Sequence, residues 1–372
     1  MTTFVDIHVL QTVPPSNVNR DDAGAPKSAV YGGARRSRVS SQSWKRATRR
    51  GFGAVDPDNT ATRTKRVAGL VKDRLQGRFD VEDEQALRIA NAILAPLGLS
   101  AKKGGDEIDY LMFLGHGQVD ALIDTIDDID ALTGASDEDL KSAFVKEDVE
   151  KIFAGGHPVD VALFGRMVAD ISNLRVDAAC QVAHAISTHA VATEHDYFTA
   201  VDDEKSVEES AGAAHIGTVE FNSATLYRYA NVSLDGLTAN LDGDQKKAVG
   251  AVAAFIRSFA LEMPTGKSNT FANRTVPHAV VVCVREGAPV NAVTAFERPV
   301  IARDGSGHAE QSLVSLADEL ARIERNWVPA AALTIATYDG DTVEGLGSPR
   351  PLDELIQSVA DHLAQARVSM PA

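Results

Sequence analysis

The stretch Phe4-Val5-Asp6-Ile7-His8-Val9-Leu10-Gln11-Thr12-Val13 alternates Val5, Ile7 and Val9 against Asp6 and His8. A side-chain period of two is the signature of a strand, so this segment starts the core sheet. Outward from it, Pro14-Pro15 predicts the end of the strand and residues 16–33 a long loop rich in turn formers. Ser40 or Ser41 then caps a predicted helix that runs to Arg50. Residues 54–156 read as mostly helical, with an acidic stretch over 120–150, and predict a helical insertion. Alternation returns over 178–191 and 216–234, where Phe221, Tyr227 and Tyr229 share parity. The polar, acidic segment 193–217 between these strands suits a projecting hairpin. Val249, Val252, Ile256, Phe259 and Met263 mark a helix stopped by Pro264, followed by a strand over 279–284. A helix on Leu313, Leu316, Leu320 and Ile323, a strand over 332–338 and a last helix on Leu352, Leu355, Ile356, Val359 and Leu363 complete the chain. Without the insertions, the order of strand, helix, strand pair, helix and strand predicts an α+β fold on a split βαβ, ferredoxin-like sheet.

The 372 residues are 44% apolar and 24% charged, which is globular composition and excludes disordered and collagenous classes. Two cysteines, Cys180 and Cys283, make no disulfide framework and read as buried thiols in a reducing compartment. The first eight residues lack a basic n-region, and no apolar run approaches the roughly 18 residues of a membrane span. The expectation is a cytoplasmic protein with no membrane partner.

A net charge of -15 argues against a polyanionic partner until its distribution is read. Between positions 20 and 50, nine basic residues (Arg20, Lys27, Arg35, Arg36, Arg38, Lys45, Arg46, Arg49, Arg50) face only Asp21 and Asp22, a local +7 on a body of -22. Such asymmetry predicts a focused positive groove. Gln42, Lys45, Arg46 and Arg49 stand at i, i+3, i+4 and i+7 of the predicted helix, leaving Trp44 and Ala47 to pack. Gly32-Gly33 and the run Arg35-Arg36-Ser37-Arg38 precede that helix, offering small-residue clearance and guanidinium forks to a phosphate.

Catalytic patterns do not assemble. Gly266-Lys267-Ser268 lacks the glycine a P-loop needs five residues earlier, since Leu261 stands there. His184 and His189, five apart on a strand, face opposite sides, and His195 has no second ligand set at metal spacing. No serine has a Gly-x-Ser-x-Gly elbow, and Cys180 sits in an apolar stretch. Neither catalytic residues nor a metal or other cofactor is expected. Asp21-Asp22 could hold Mg²⁺ against a phosphodiester, but pairing with Arg20 to shape the loop is favoured. Tyr197-Phe198 and Met167 could stack on or wedge between bases, against the commoner reading as core.

Several blocks resemble the CasC family, the backbone subunit of the type I-E CRISPR surveillance complex Cascade. They include Pro15-Ser16-x-x-Asn19-Arg20-Asp21-Asp22, Gly32-Gly33-x-Arg35-Arg36-x-Arg38-x-Ser40-Ser41-Gln42-Ser43-x-Lys45-Arg46-Ala47 and Val159-Asp160-x-Ala162-Leu163-x-Gly165-Arg166-Met167. Ala183-His184-Ala185-Ile186-Ser187-Thr188-His189, Phe198-Thr199-Ala200-Val201-Asp202-Asp203 and Tyr227-Arg228-Tyr229-Ala230-Asn231 continue the likeness in order. The resemblance implies a modified RNA-recognition-motif palm over 1–53, 175–192 and 218–372, helical fingers over 54–174 and a β-hairpin thumb over 193–217. It implies a non-enzymatic protein that polymerises along a CRISPR guide RNA and presents it to target DNA, beside other Cascade subunits and a recruited helicase-nuclease. Carried over, Arg20, Lys27, Ser40, Gln42, Lys45, Arg46 and Arg49 hold guide phosphates, joined by Arg35, Arg36 and Arg38 from the charge reading. Met167, Tyr197 and Phe198 flank a displaced base. Ala34 and Tyr197 depart from relatives that carry a base and a tryptophan there. Lys141, Lys146 and Lys151 sit among acids, which leaves Lys102-Lys103 as the candidate DNA contact.

Overall fold

A computed structural model describes residues 1–55, 59–101, 105–168, 174–200, 215–303 and 305–366. The chain divides into two compact units. The first comprises Met1–Thr48, Val182–Asn231 and Ala253–Ala366, and the second Arg49–Gln181 with Val232–Val252. The segment 232–252 thus clusters with the helical unit, although the sequence reading assigned it to the palm.

The first unit is built on a mixed α+β sheet with antiparallel pairing. Its strands are β1 (Thr3–Ser16), β2 (Ser28–Tyr31) and β3 (Ala34–Val39). After β4 (Ala61–Thr64) and β5 (Met112–Gly115), which pair separately in the second unit, come β6 (Cys180–Val182), β7 (Ala185–Ser187), β8 (Glu194–Ala200), β9 (His215–Ser233), β10 (Ala279–Glu286) and β11 (Leu333–Tyr338). Among the described residues the large sheet has nine strands in the order β11-β10-β1-β9-β7-β3-β2, with β6 and β8 also paired to β9. β1 and β10 run antiparallel from Thr3↔Glu286 to Leu10↔Ala279, and β7 meets β9 at Ile186↔Tyr227.

Two expectations need correction. β1 continues through Pro14-Pro15 to Ser16, and a β2–β3 hairpin occupies much of the region read as loop and basic run. The predicted strand over 178–191 is two short ones, β6 and β7.

The helices are α1 (Ser41–Val55), α2 (Val67–Gln76), α3 (Asp83–Leu94), α4 (His116–Ile123), α5 (Ile129–Gly134), α6 (Asp137–Ala143), α7 (Lys146–Ala154), α8 (Val159–Phe164), α9 (Leu234–Asn240), α10 (Gln245–Leu261), α11 (Ser268–Phe271), α12 (His308–Asn326) and α13 (Leu352–Ala364). None among the described residues is long and apolar enough to cross a membrane.

Both faces of β1 are buried. Val5, Ile7 and Val9 are fully enclosed, and so are Asp6 and His8 on the other face. The second face, with Leu10, Tyr227, Tyr229, Val281 and Phe296, packs on Leu313, Leu316 and Leu320 of α12. Asp6 survives burial because Tyr229 Oη (2.6 Å) and the Val290 N–H (3.0 Å) donate to it and Arg285 lies 3.3 Å away. The opposite face of β9 carries Arg228, whose guanidinium lies 3.8 Å from the ring centre of Trp44 and 4.6 Å from that of Phe259. It donates to Gln11 Oε1 and to the carbonyls of Phe259 and Ala260. These bonds occupy both terminal nitrogens of the buried cation and tie β9 to β1 and α10.

The second unit instead has an apolar interior, including Val71, Leu75, Ile89, Ile93, Leu122 and Phe153 from α2, α3, α4 and α7. Ion pairs such as Arg74–Asp120 and Arg88–Asp137 stand on its surface.

Candidate nucleic-acid interface

In the first unit the loop after β1, the β2–β3 hairpin and the start of α1 are knitted together by hydrogen bonds. Buried Asn17 donates from Nδ2 to the carbonyls of Gly24 (2.8 Å) and Glu220 (2.9 Å). The Lys27 N–H donates to Asn19 O, the Arg38 N–H to Lys27 O, and the Ser40 N–H to Asn19 Oδ1, each at 2.9 Å. Arg20 bridges to Pro26 across the loop. Asp21 shapes the same turn: its Oδ1 accepts from the N–H groups of Ala23 (2.9 Å) and Ala25 (3.0 Å).

At the head of α1, Ser40 Oγ accepts from the Ser43 N–H at 3.3 Å, the capping role expected of it. The Ser41 N–H donates to His184 Nδ1 at 2.9 Å. Burial, followed by the charges of Arg38 and Lys27, holds the His184 imidazole below its ordinary pKa. Gln42 and Arg46 are exposed and Lys45 half-exposed, while Trp44 and Ala47 are buried. Arg20, Lys27 and Arg38 therefore gather at the positive end of a 15-residue helix, with Lys45 and Arg46 further along it. This arrangement suits the phosphates of a nucleic-acid backbone.

Other basic residues of the segment do different work. Arg36 is fully buried and donates to the carbonyls of Ser187 (2.9 Å), Thr188 (2.9 Å), Phe296 (2.8 Å) and Glu297 (3.2 Å). It is an internal tie and, contrary to the charge reading, is not exposed to a phosphate. Arg35, its neighbour on β3, points out and is exposed. Arg49 stacks on Phe113 (4.7 Å to the ring centre) and lies 4.0 Å from the enclosed carboxylate of Asp160, so its charge is already matched. Burial, opposed by Arg49, raises the Asp160 pKa to about 6.

The glycine pair is likewise reassigned. A Cβ on Gly32, at φ +56°, would lie 1.6 Å from Glu297 O, so that glycine seats the hairpin turn on protein backbone rather than on phosphate. Gly33, at φ +74°, has open space around it.

β8 and β9 pair antiparallel from Glu194↔Phe221 to Ala200↔His215, forming the arms of a hairpin in the segment expected to project. Tyr197 and Phe198 are exposed on β8, and the Phe198 ring lies over Gly217, where no Cβ obstructs it. In the second unit, Met167 is 91% exposed beside an anchored neighbour. Arg166 is buried, bonds the carbonyls of Leu174 and Phe153 and exchanges backbone bonds with Val176. The core alternative for these three residues is thereby removed. Lys102-Lys103 and Asp202-Asp203 lie outside the described residues.

His189 is structural, accepting from the Thr225 N–H and stacked on His308 at 3.8 Å. No group of three or more His, Cys, Asp or Glu able to hold a metal occurs among the described residues. The sequence reading missed His184 as a partner of α1 and Asp160 as a partner of Arg49. Both stand in blocks quoted above, but only the folded chain pairs them with residues about a hundred positions or more away.

Residues 5–359 match the CT1975-like protein family, Cas_CT1975. A chain of a solved "CRISPR RNA-guided surveillance complex, pre-nicking" is 33% identical, with a TM-score of 0.83 over 97% of this chain and all of that one. A chain of a "CRISPR RNA-guided surveillance complex" is 29% identical, with a TM-score of 0.72 over 95% of this chain and 99% of that one. No curated protein sequence matches. The resemblance to a backbone protein of CRISPR surveillance complexes is met by these matches.

Proposed function

The chain belongs to the CT1975-like protein family, and we propose that it is the guide RNA-binding backbone subunit of a type I-E Cascade complex. In this reading it polymerises with copies of itself along a CRISPR guide RNA in the cytoplasm. The guide is presented to target DNA for antiviral defence, and sequence is read by base pairing rather than by the protein. The observation that carries the proposal is the cation cluster of Arg20, Lys27 and Arg38 at the head of α1, in a chain that aligns nearly end to end with surveillance-complex subunits. The order β10-β1-β9-β7 supports a ferredoxin-like palm, because with α1 and α10 as crossovers it is the split βαβ arrangement used by RNA-recognition folds.

Arg20, Lys27, Arg35, Arg38, Gln42, Lys45 and Arg46 contact guide phosphates, with Ser40 fixing the helix end. Met167, Tyr197 and Phe198 flank a displaced base, and the β8–β9 hairpin is the thumb that reaches a neighbouring copy. The subunit itself is not an enzyme; other Cascade subunits complete the complex, and a recruited helicase-nuclease destroys the target. The rival, metal-dependent RNA cleavage by Asp21 and Asp22, is disfavoured by the turn that Asp21 caps.

The test is single-stranded RNA binding across a salt series. Lys45→Ala/Arg46→Ala is expected to reduce the log-affinity against log-salt slope by about 1.4, roughly 0.7 per phosphate contact. Bound RNA is expected to stay intact with Mg²⁺. An unchanged slope in a folded variant rejects the assignment, and cleavage abolished by Asp22→Asn favours the nuclease.

A further inference from the structure

The loop over residues 264–275, which holds the P-loop look-alike Gly266-Lys267-Ser268, has no role in the reading above. Its backbone is unusual. Lys267 (φ +50°) and Ala272 (φ +47°) are two of three non-glycine residues in the left-handed region among those described. Side chains there cost free energy that a glycine would avoid, and such outliers persist where the surroundings hold them for a purpose.

The surroundings here are rigid. A Cβ on Gly266 would lie 2.0 Å from Val18 O and 3.1 Å from Asn17 O, so the loop rests directly on the backbone that leads into Arg20. Buried Asn273 closes the loop, its Nδ2 donating to Gly266 O at 3.4 Å. 

At the far end, Thr275 Oγ1 donates to Thr12 O (2.8 Å), and Gln11 Nε2 donates to Thr275 O (2.8 Å), fixing the loop to β1. Phe271 packs on Phe221 at the base of the β8–β9 hairpin (6.1 Å between ring centres), and Asn17 ties the Arg20 loop to Glu220 next to it. The loop is therefore joined both to the segment carrying Arg20 and to the hairpin carrying Tyr197 and Phe198. Apart from Ala272, its outward residues are polar or basic: Asn269 and Thr270 are exposed, Lys267 is half-exposed, and Arg274 is exposed 3.7 Å from Glu262.

We infer that this loop is a second RNA-backbone contact, in which Lys267 binds a phosphate next to the one held by Arg20. Gly266 lets the loop lie on the Arg20 segment, and the left-handed backbone at Lys267 sets the direction in which its side chain leaves. Asn269 and Thr270 offer neutral donors to the same strand. The inference rests on the guide-binding reading and adds to it a residue that neither charge clustering nor helix periodicity selects.

The test measures binding of a single-stranded RNA oligonucleotide to the full chain at several salt concentrations. Lys267→Ala is expected to weaken binding and to reduce the salt slope by about 0.7, while Lys267→Arg restores both. Lys246→Ala, an exposed lysine of α10, serves as the control and is expected to change neither. Thermal melting checks that each variant is folded. If Lys45→Ala/Arg46→Ala lowers the slope and Lys267→Ala does not, this inference fails and the guide-binding reading stands. If neither variant lowers it, both fail. A Lys267→Ala effect confined to association between copies, with RNA binding intact, assigns the loop to a protein contact and overturns the inference.

Discussion

The two units treat charge in opposite ways. The sheet of the first encloses Asp6, Arg36, Arg228 and Arg285, each matched by carbonyls, hydroxyls or a counter-charge. The helices of the second surround an apolar interior and carry charges outside as pairs such as Arg74–Asp120 and Arg78–Asp124, with Asp160, Arg166 and Asp235 as enclosed exceptions. The difference teaches that a run of basic residues is no measure of a binding surface. Within four positions of β3, Arg35 is exposed, Arg36 is a structural tie and Arg38 lies half-exposed at the head of α1. A guanidinium has five donors in a rigid fork, which suits it to gathering several carbonyls in a core as well as to gripping phosphate.

The largest expected effect that would break this contrast is at Arg228. Arg228→Met leaves Gln11 and the carbonyls of Phe259 and Ala260 without their donor in a closed site, and a loss of about 3–5 kcal/mol is expected in urea unfolding. A loss below about 1 kcal/mol would mean that the buried cation is dispensable.

The next effect concerns pH. Burial, aided by the charge of Arg285, pushes the His8 pKa down to about 3, so the folded chain excludes a proton that the unfolded chain binds below about 6.5. Stability from this group is complete above that value and is lost as pH falls toward 3. Between pH 7 and 4.5 this group alone contributes a loss of roughly 2–3 kcal/mol, which His8→Gln is expected to remove. Asp6, raised to about 6 mainly by burial, has the opposite sign: its protonated form favours folding as pH falls from about 6 toward 4. Equal acid sensitivity in the wild-type chain and the His8→Gln variant would show that His8 is not the responsible group.

The smallest effect sharpens the contrast from the other side. Arg74→Ala/Asp120→Ala removes a surface pair of the helical unit, and unfolding is expected to change by less than about 1 kcal/mol, less still at high salt. A change as large as that of Arg228→Met would erase the distinction between the two units.

Much of the architecture was legible in local pattern. The periodicity of residues 4–10 marked β1, Ser40 and the spacing of Trp44 and Ala47 marked α1, and Leu313 to Ile323 marked α12. These signals survive in one sequence because a side chain's face on a strand or helix follows from backbone geometry alone. The β2–β3 hairpin was not legible, because β3 is anchored through buried Arg36, a residue that reads as solvated. Pro14-Pro15 likewise read as a stop, yet β1 runs on to Ser16.

By itself the sequence determined the order of the longer strands and helices of the sheet unit, the position of the cationic segment and the identity of the α1 face. Only the tertiary structure decided which cations remain available there: Arg36 turns inward to four carbonyls, and Arg49 meets Asp160 and Phe113. It also decided that Gly32 seats on Glu297 and Gly266 on Val18. The physical reason is that charge and glycine are properties of single residues, whereas desolvation, counter-charge and backbone clearance depend on neighbours that are distant in the chain.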